Sequence, residues 1–167
     1  MLFNKLGKKG KWALICLASV LVGAFLFHKA IYLFSPGSYP FSEDYEFNIS
    51  ENELIKAIDE FRIENPQYYP PFDVGSLEGR KDSTDYWYHY LFYYNDKNQI
   101  LHCWVRGGTK KTTFAFVAIN DGLILRRWKM VNDDFGFFEN RRVIKTFEDR
   151  ILNKIKEIIK RQKNGNS

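Results

Sequence analysis

The stretch DYWYHYLFYYND, residues 85–96, holds five tyrosines, a tryptophan, a phenylalanine and a histidine in twelve positions, and its reading decides the fold. In an extended strand, alternate side chains point to opposite sides. Tyr86, Tyr88, Tyr90, Phe92 and Tyr94 then share one face, and Trp87, His89, Leu91 and Tyr93 share the other. Two aromatic faces suit a strand inside a sheet better than one at its margin. One face is expected to lie under helices. The other would form a tyrosine-rich surface whose rings offer apolar area and a hydroxyl.

The flanking residues complete a sheet. Asn95-Asp96-Lys97-Asn98 reads as a turn into a second strand at about 99–106, and Gly107-Gly108 as a turn into a third, TTFAFVAIN, at 112–120. Asn120-Asp121-Gly122 is a hairpin signal, which makes Leu123–Lys129 an expected fourth strand. Upstream, Ser50-Glu51-Asn52-Glu53 is a capping box, and Leu54, Ile55, Ile58 and Phe61 follow at helical spacing until Asn65-Pro66 stops the helix. QYYPPFDVGSLEGRKDST then reads as a long loop. Downstream, ENRRVIKTFEDRILNKIKEIIKRQK carries an apolar stripe of Ile144, Phe147, Ile151, Ile155 and Ile158, the pattern of an amphipathic helix. The fold class is therefore α+β: one helix, an antiparallel meander of three to four strands, and a long C-terminal helix packed on one sheet face.

The first 34 residues are of another kind. WALICLASVLVGAFLF (12–27) has no charge, and the apolar character resumes as AIYLF after His28 and Lys29. A helix over residues 12–34 is long enough to cross a hydrocarbon core of about 30 Å. Lys5, Lys8, Lys9 and Lys11 precede it, a bias that keeps the N-terminus cytoplasmic and exports the remainder of the chain. A cleaved signal peptide ending near Val22-Gly23-Ala24 and a lipoprotein using Cys16 are the competing readings; the first is disfavoured because the apolar run continues, the second because Ile15 stands where a small residue is expected. The expected layout is a basic N-terminus at 1–11, a membrane anchor at 12–34, a tether at 35–49, an extracytoplasmic domain at 50–163 and a tail at 164–167.

The chain of 167 residues has a formal charge of +5. Residues 1–34 contribute five lysines and no acid, so residues 35–167 balance 20 bases against 20 acids. A nucleic-acid surface is thus not implied. Within the neutral part, Glu43–Asp85 carries twelve acids and four bases, while Lys97 onward carries sixteen bases and seven acids; an acidic first helix beside a basic last helix is the expected outcome. The two cysteines, Cys16 and Cys103, fall on opposite sides of the anchor boundary and make no disulfide framework.

The segment Phe114–Ile119 is similar to part of the RNP1 strand of RNA-recognition motifs, which would imply base stacking. Thr112 and Thr113 stand where that motif has a basic residue and a glycine, Ile119 replaces its last aromatic, and a helix followed by a meander is not its order. RNA binding is not expected. Gly107-Gly108-Thr109-Lys110-Lys111 has the composition of a phosphate loop, but a strand rather than a helix comes after it. His89 and His102 would meet on one face if their strands pair at an odd register sum, with Cys103 pointing away. Two histidines do not make a zinc site, although Asp85 is the nearest candidate for a third ligand. Glu78, Asp82 and Asp85 are the loop acids available for acid–base work. No Gly-x-Ser-x-Gly elbow is present. Phe135, Phe137 and Phe138, beside Asp133 and Asp134, read either as a hydrophobic staple into the last helix or as a partner-engaging loop.

These features imply a single-pass protein of a bacterial inner membrane whose exported domain binds another protein. Its plan is similar to that of small anchored envelope proteins, among them immunity proteins that neutralise secreted toxins and accessory subunits of secretion machines. Partner-binding candidates are Tyr86, Tyr88, Tyr90, Phe135 and Phe137. No catalytic residue, metal or cofactor is expected. The enzymatic alternative is a small envelope hydrolase using the acidic loop or the His89/His102 face.

Overall fold

The computed structural model describes residues 7–33, 39–73, 77–82, 84–108 and 110–165, with backbone alone at residues 8 and 28–33. The expected end of the span at Phe34, tether residues 35–38, loop residues 74–76, Thr109 and the last two tail residues lie outside the described residues. The chain divides into two compact units, Met1–Pro40 and Phe41–Ser167. The first holds one helix, α1 (Lys8–Leu33), in which Lys9–Phe27 is long and apolar enough to cross a membrane.

The second unit is α+β. Its elements are β1 (Glu43–Phe47), α2 (Glu51–Glu64), β2 (Tyr88–Tyr94), β3 (Gln99–Gly107), β4 (Thr112–Asp121), β5 (Trp128–Met130), α3 (Phe137–Phe147) and α4 (Asn153–Gly165). The capping box forms: the Ser50 hydroxyl accepts from the Glu53 amide at 3.3 Å, and the Glu53 carboxylate accepts from the Ser50 amide at 2.8 Å. Strands β2, β3 and β4 make the antiparallel meander, in the order β1-β4-β3-β2. The outer edge of β4 is shared, with β1 on Thr112–Phe116 and β5 on Ala118–Asn120. Gly107 is required where β3 turns into β4, because a Cβ there would fall 2.5 Å from the Thr112 hydroxyl and 2.7 Å from the Lys111 carbonyl.

A bulge explains how β4 fills the core. Register slips between His102 and Cys103, so Val117 has no partner on β3; its carbonyl accepts from Val131 instead. The extra residue turns Ile119 to the same side as Phe114 and Phe116. Against that side pack Leu54, Ala57, Ile58 and Phe61 of α2, and Phe147, Ile151, Leu152, Ile155 and Ile158 from the C-terminal helix. Phe147 lies at the centre, its ring 4.4 Å from that of Phe116 and 5.8 Å from that of Phe114. The helices also meet through charge, the acidic first helix beside the basic last one: Arg161 of α4 reaches Glu60 at 3.1 Å and Glu64 at 2.7 Å.

The structure corrects five expectations. The aromatic strand β2, expected inside the sheet, is its edge strand, and its two faces are aromatic because helices cover one and loops cover much of the other, while Arg62, Glu78 and Gly79 occupy its free side. Residues 43–47, read as tether, form β1; EDYEF alternates outward acids with inward Tyr45 and Phe47, the pattern of a charge-protected edge strand. The strand expected from residue 85 starts at Tyr88, because the Asp85 carboxylate takes the Trp87 amide at 3.0 Å and holds that segment out of the ladder. The strand expected over Leu123–Lys129 shrinks to β5, since buried Asn120 organises residues 122–127 as a loop. Its amide nitrogen donates to the carbonyls of Gly122 and Ile124, and its oxygen accepts from the Arg127 amide. The single final helix contains one wide π-turn, Glu148–Leu152, which brings both Ile151 and Leu152 onto the core.

Candidate functional site

Inside β2, alternation assigns each ring a structural place. Tyr90 is 1% exposed and donates its hydroxyl to Asp59 at 3.0 Å. Phe92 and Tyr94 are buried on the same side, and Tyr88 is half-buried, its ring 5.0 Å from that of Tyr90. On the reverse side Leu91, Tyr93 and Ile100 are covered by Phe72 and Leu125 from two loops and by Trp128 of β5. Tyr90 and, in large part, Tyr88 therefore leave the set of accessible partner-binding residues. The reason is that this face is the one the helices cover.

Tyr86 sits beyond the end of β2 and is 68% exposed. Its ring stands edge-on to Trp87 at 6.3 Å, and Trp87 stands edge-on to buried Trp104 of β3 at 6.3 Å. The Arg106 guanidinium lies 5.5 Å from both the Tyr86 and the Trp87 rings, within cation–π range. The corner is fixed from behind. Asp85 accepts from the amides of Lys81 and Trp87, and Arg80 donates to the Asp85 carbonyl. Burial pushes the Asp85 carboxyl up, but those two amides outweigh it and hold its pKa below the usual carboxylate value. Sequence reasoning picked out Tyr86 but not Trp87, Trp104 or Arg106; the signal was an arginine ending β3 opposite the start of an aromatic strand.

The histidines meet as the odd register requires. Leu91 pairs with His102 and His89 with Trp104, and His89 Nδ1 lies 2.9 Å from His102 Nε2. Asp85 faces His89 Nε2 at 3.6 Å. Cys103 points into the core, where burial pushes its thiol well up. Burial and the neighbouring His89 hold the His102 pKa down at about 3. Burial also lowers His89, against the opposing pull of Asp85. At neutral pH both imidazoles are uncharged and share one hydrogen bond. Among the described residues, no group of three or more His, Cys, Asp or Glu side chains is placed to hold a metal ion.

The loop acids are each engaged by the fold. Glu78 forms a bidentate pair with Arg62, whose guanidinium is 4.8 Å from the Tyr69 ring, 5.0 Å from Tyr90 and 5.3 Å from Phe92. The pair also closes the outer edge of β2: the Leu91 amide donates to Glu78 and the Leu91 carbonyl accepts from Arg62. One residue further on, Gly79 exchanges two backbone hydrogen bonds with His89. Asp82 closes a turn by accepting from Thr84, which holds its carboxyl below the ordinary range.

Ahead of α3, Phe135 is half-buried against the core, but Asn140 stands where a hydrophobic staple would need an apolar partner. Phe137 and Phe138, after the N-cap Gly136, are 70% and 77% exposed and meet edge-on at 5.3 Å. They stand on the β1/β5 flank of the sheet, whereas Tyr86 stands at its β2 edge. The predicted binding residues thus separate into two exposed corners and a buried remainder. No protein-family model, no curated protein and no solved structure matches the chain.

Proposed function

We propose that this chain is a membrane-anchored, extracytoplasmic protein-binding module of a bacterial envelope, with α1 as a retained single-pass anchor and the domain from Phe41 onward as its non-catalytic binding part. The partner is a toxin neutralised by an immunity-type contact or a subunit of an envelope complex. The observation that carries the reading is the Tyr86–Trp87–Arg106 corner. It gathers the three residue types most enriched at binding hot spots, held rigid from behind by Trp104 and Asp85. Tyr86 keeps 68% of its surface exposed while Trp87 and Arg106 brace its ring. The anchor reading is supported by the apolar length of Lys9–Phe27 and the lysines before it.

The test is site-specific photo-crosslinking from position 86 of the full chain in its native membranes. The expected result is one protein adduct of defined mass, absent when the crosslinker replaces exposed Ile63 on α2. The same faint adducts from both positions would contradict it. The hydrolase alternative draws on the alignment of Asp85, His89 and His102. It predicts that His89→Gln abolishes a turnover while leaving the position-86 adduct intact.

A further inference from the structure

The Tyr86 corner continues into a trough on the same side of the sheet. Over the far half of that side, Phe72, Leu125 and Trp128 cover Leu91, Tyr93 and Ile100. At the near end, where β3 turns into β4, a cavity of about 400 Å³ opens instead, lined by Trp104 and Arg106 of β3, Thr113 of β4, and Asp44 and Glu46 of β1. Register sets these residues in two rows. Trp104, Ala115 and Asp44 stand side by side, and so do Arg106, Thr113 and Glu46. The small side chains of β4 keep the middle low, between a β3 wall and a β1 wall two strand spacings, about 10 Å, apart. One extended chain fits that width. A helix, about 10–12 Å across with its side chains, does not.

The walls carry opposite charges. Glu46 is answered by Lys111 at 2.6 Å. Arg106 is held at the Tyr86 and Trp87 rings, 5.5 Å from each, and Asp44 accepts from the Ser42 hydroxyl at 2.7 Å. Both Arg106 and Asp44 are exposed. Among the described residues, no carboxylate pairs with Arg106 and no cation pairs with Asp44. An occupant of one sign meets like charge here: a polyanion faces Asp44 and Glu46, a polycation faces Arg106 and Lys111. The complement of this trough is a segment of mixed charge.

We propose that the trough receives an extended segment of the protein partner, with an acidic side chain paired to Arg106 and a basic side chain paired to Asp44. The inference rests on the protein-binding reading above and names the chemistry of that partner at the same corner. The planar guanidinium takes a carboxylate through two parallel hydrogen bonds, and the two rings fix its plane before binding. Opposite charges held apart on a rigid sheet also set the direction and register of the bound segment.

The probe is a phage-displayed library of random dodecapeptides, panned over the full chain in detergent micelles. Enriched peptides are resynthesised with a fluorophore, and their binding is read by anisotropy. The expected peptides carry an acid and a base within a few positions, and Arg106→Gln and Asp44→Asn each weaken them on the order of tenfold. Neutralising the peptide's acid should weaken binding to wild type and have no further effect on Arg106→Gln; its base should behave the same way toward Asp44→Asn. No enriched peptide, peptides of a single charge sign, or affinities indifferent to Arg106 and Asp44 would overturn the trough. A second measurement separates the trough from the corner: Asp44→Asn in native membranes, with the photo-crosslinker at position 86. A yield of partner adduct lower on the order of tenfold is expected. An unchanged yield overturns the trough and leaves the corner standing, whereas no adduct from either chain removes the corner and the trough with it.

Discussion

The aromatic run of β2 and the aromatic residues at the two corners have similar composition and opposite fates. From His89 to Tyr94 every ring is enclosed, by α2 and the C-terminal helix on one side or by the 69–73 and 122–127 loops and Trp128 of β5 on the other. Two residues before β2, Tyr86 is mostly outside, and Phe137 and Phe138 are outside at the opposite flank. The difference lies in the backbone. Side chains in the β2 ladder are forced onto covered faces, whereas Asp85 keeps Tyr86 out of regular pairing and Phe137 and Phe138 open α3 after the chain has left β5. Aromatic content therefore does not mark the surface; the place where the ladder stops does.

The comparison breaks most visibly in stability. Phe147→Ala removes the ring at the centre of the core and is expected to cost about 3–5 kcal/mol in urea unfolding of the domain. Phe138→Ala should change it by less than about 0.5 kcal/mol. A core-sized loss from Phe138→Ala would mean that this corner is part of the fold.

Next comes the Arg62–Glu78 pair, which holds the edge of β2. Removing one member leaves the other charged and nearly enclosed, with side-chain exposures of 10% and 13%. Glu78→Ala is expected to destabilise by about 3 kcal/mol, with faster amide exchange at Leu91, whose amide it receives. Unchanged exchange there would show that the edge is protected some other way.

The histidines give a smaller and pH-dependent effect. An unfolded histidine titrates near 6.5, while folded His102 is held at about 3 and folded His89 is lowered. Below pH 6.5 the unfolded chain therefore binds more protons than the folded one, and stability falls as pH falls. For His102 the window runs from about 6.5 toward 3, with a slope approaching about 1.4 kcal/mol per pH unit, and His89 adds to the decline below 6.5. Between pH 6.5 and 5, where most carboxylates are still ionised, His102→Asn should flatten the decline in urea midpoint. An unaltered slope would place the responsible protons elsewhere. The smallest structural effect is Ser50→Ala, about 1 kcal/mol for loss of the α2 cap.

How much of this was legible in the sequence depends on the range of each signal. Local signals succeeded. The capping box, the proline stop, the apolar stripe over Phe147 to Ile158 and the two-residue alternation of the meander all depend on neighbours in the chain. The odd register also brought His89 to His102 and turned Cys103 away, as parity requires. The failures involved distant partners. β1 is short and half acidic, and becomes a strand only because β4 offers it an edge. Asn120 resembled a hairpin residue until its burial made it the organiser of a loop. Arg62 and Glu78 are sixteen residues apart, and nothing in either flank announces that they close the same edge. Three of the binding candidates, Tyr86, Tyr88 and Tyr90, were drawn along one alternating face, and parity alone cannot say which face the helices take.

The most direct test of the claim that enclosed rings hold the fold while corner rings bind is one double variant, Tyr86→Ala/Arg106→Gln, in the full-length chain. Two quantities are read on the same preparation: the urea midpoint of the domain and the yield of the partner captured from native membranes. The account predicts a midpoint within about 0.5 kcal/mol of wild type and partner yield lower by about tenfold or more, the loss of at least about 1.4 kcal/mol of binding. A wild-type yield with an unchanged midpoint would contradict it, because the Tyr86–Trp87–Arg106 corner would then have no part in binding.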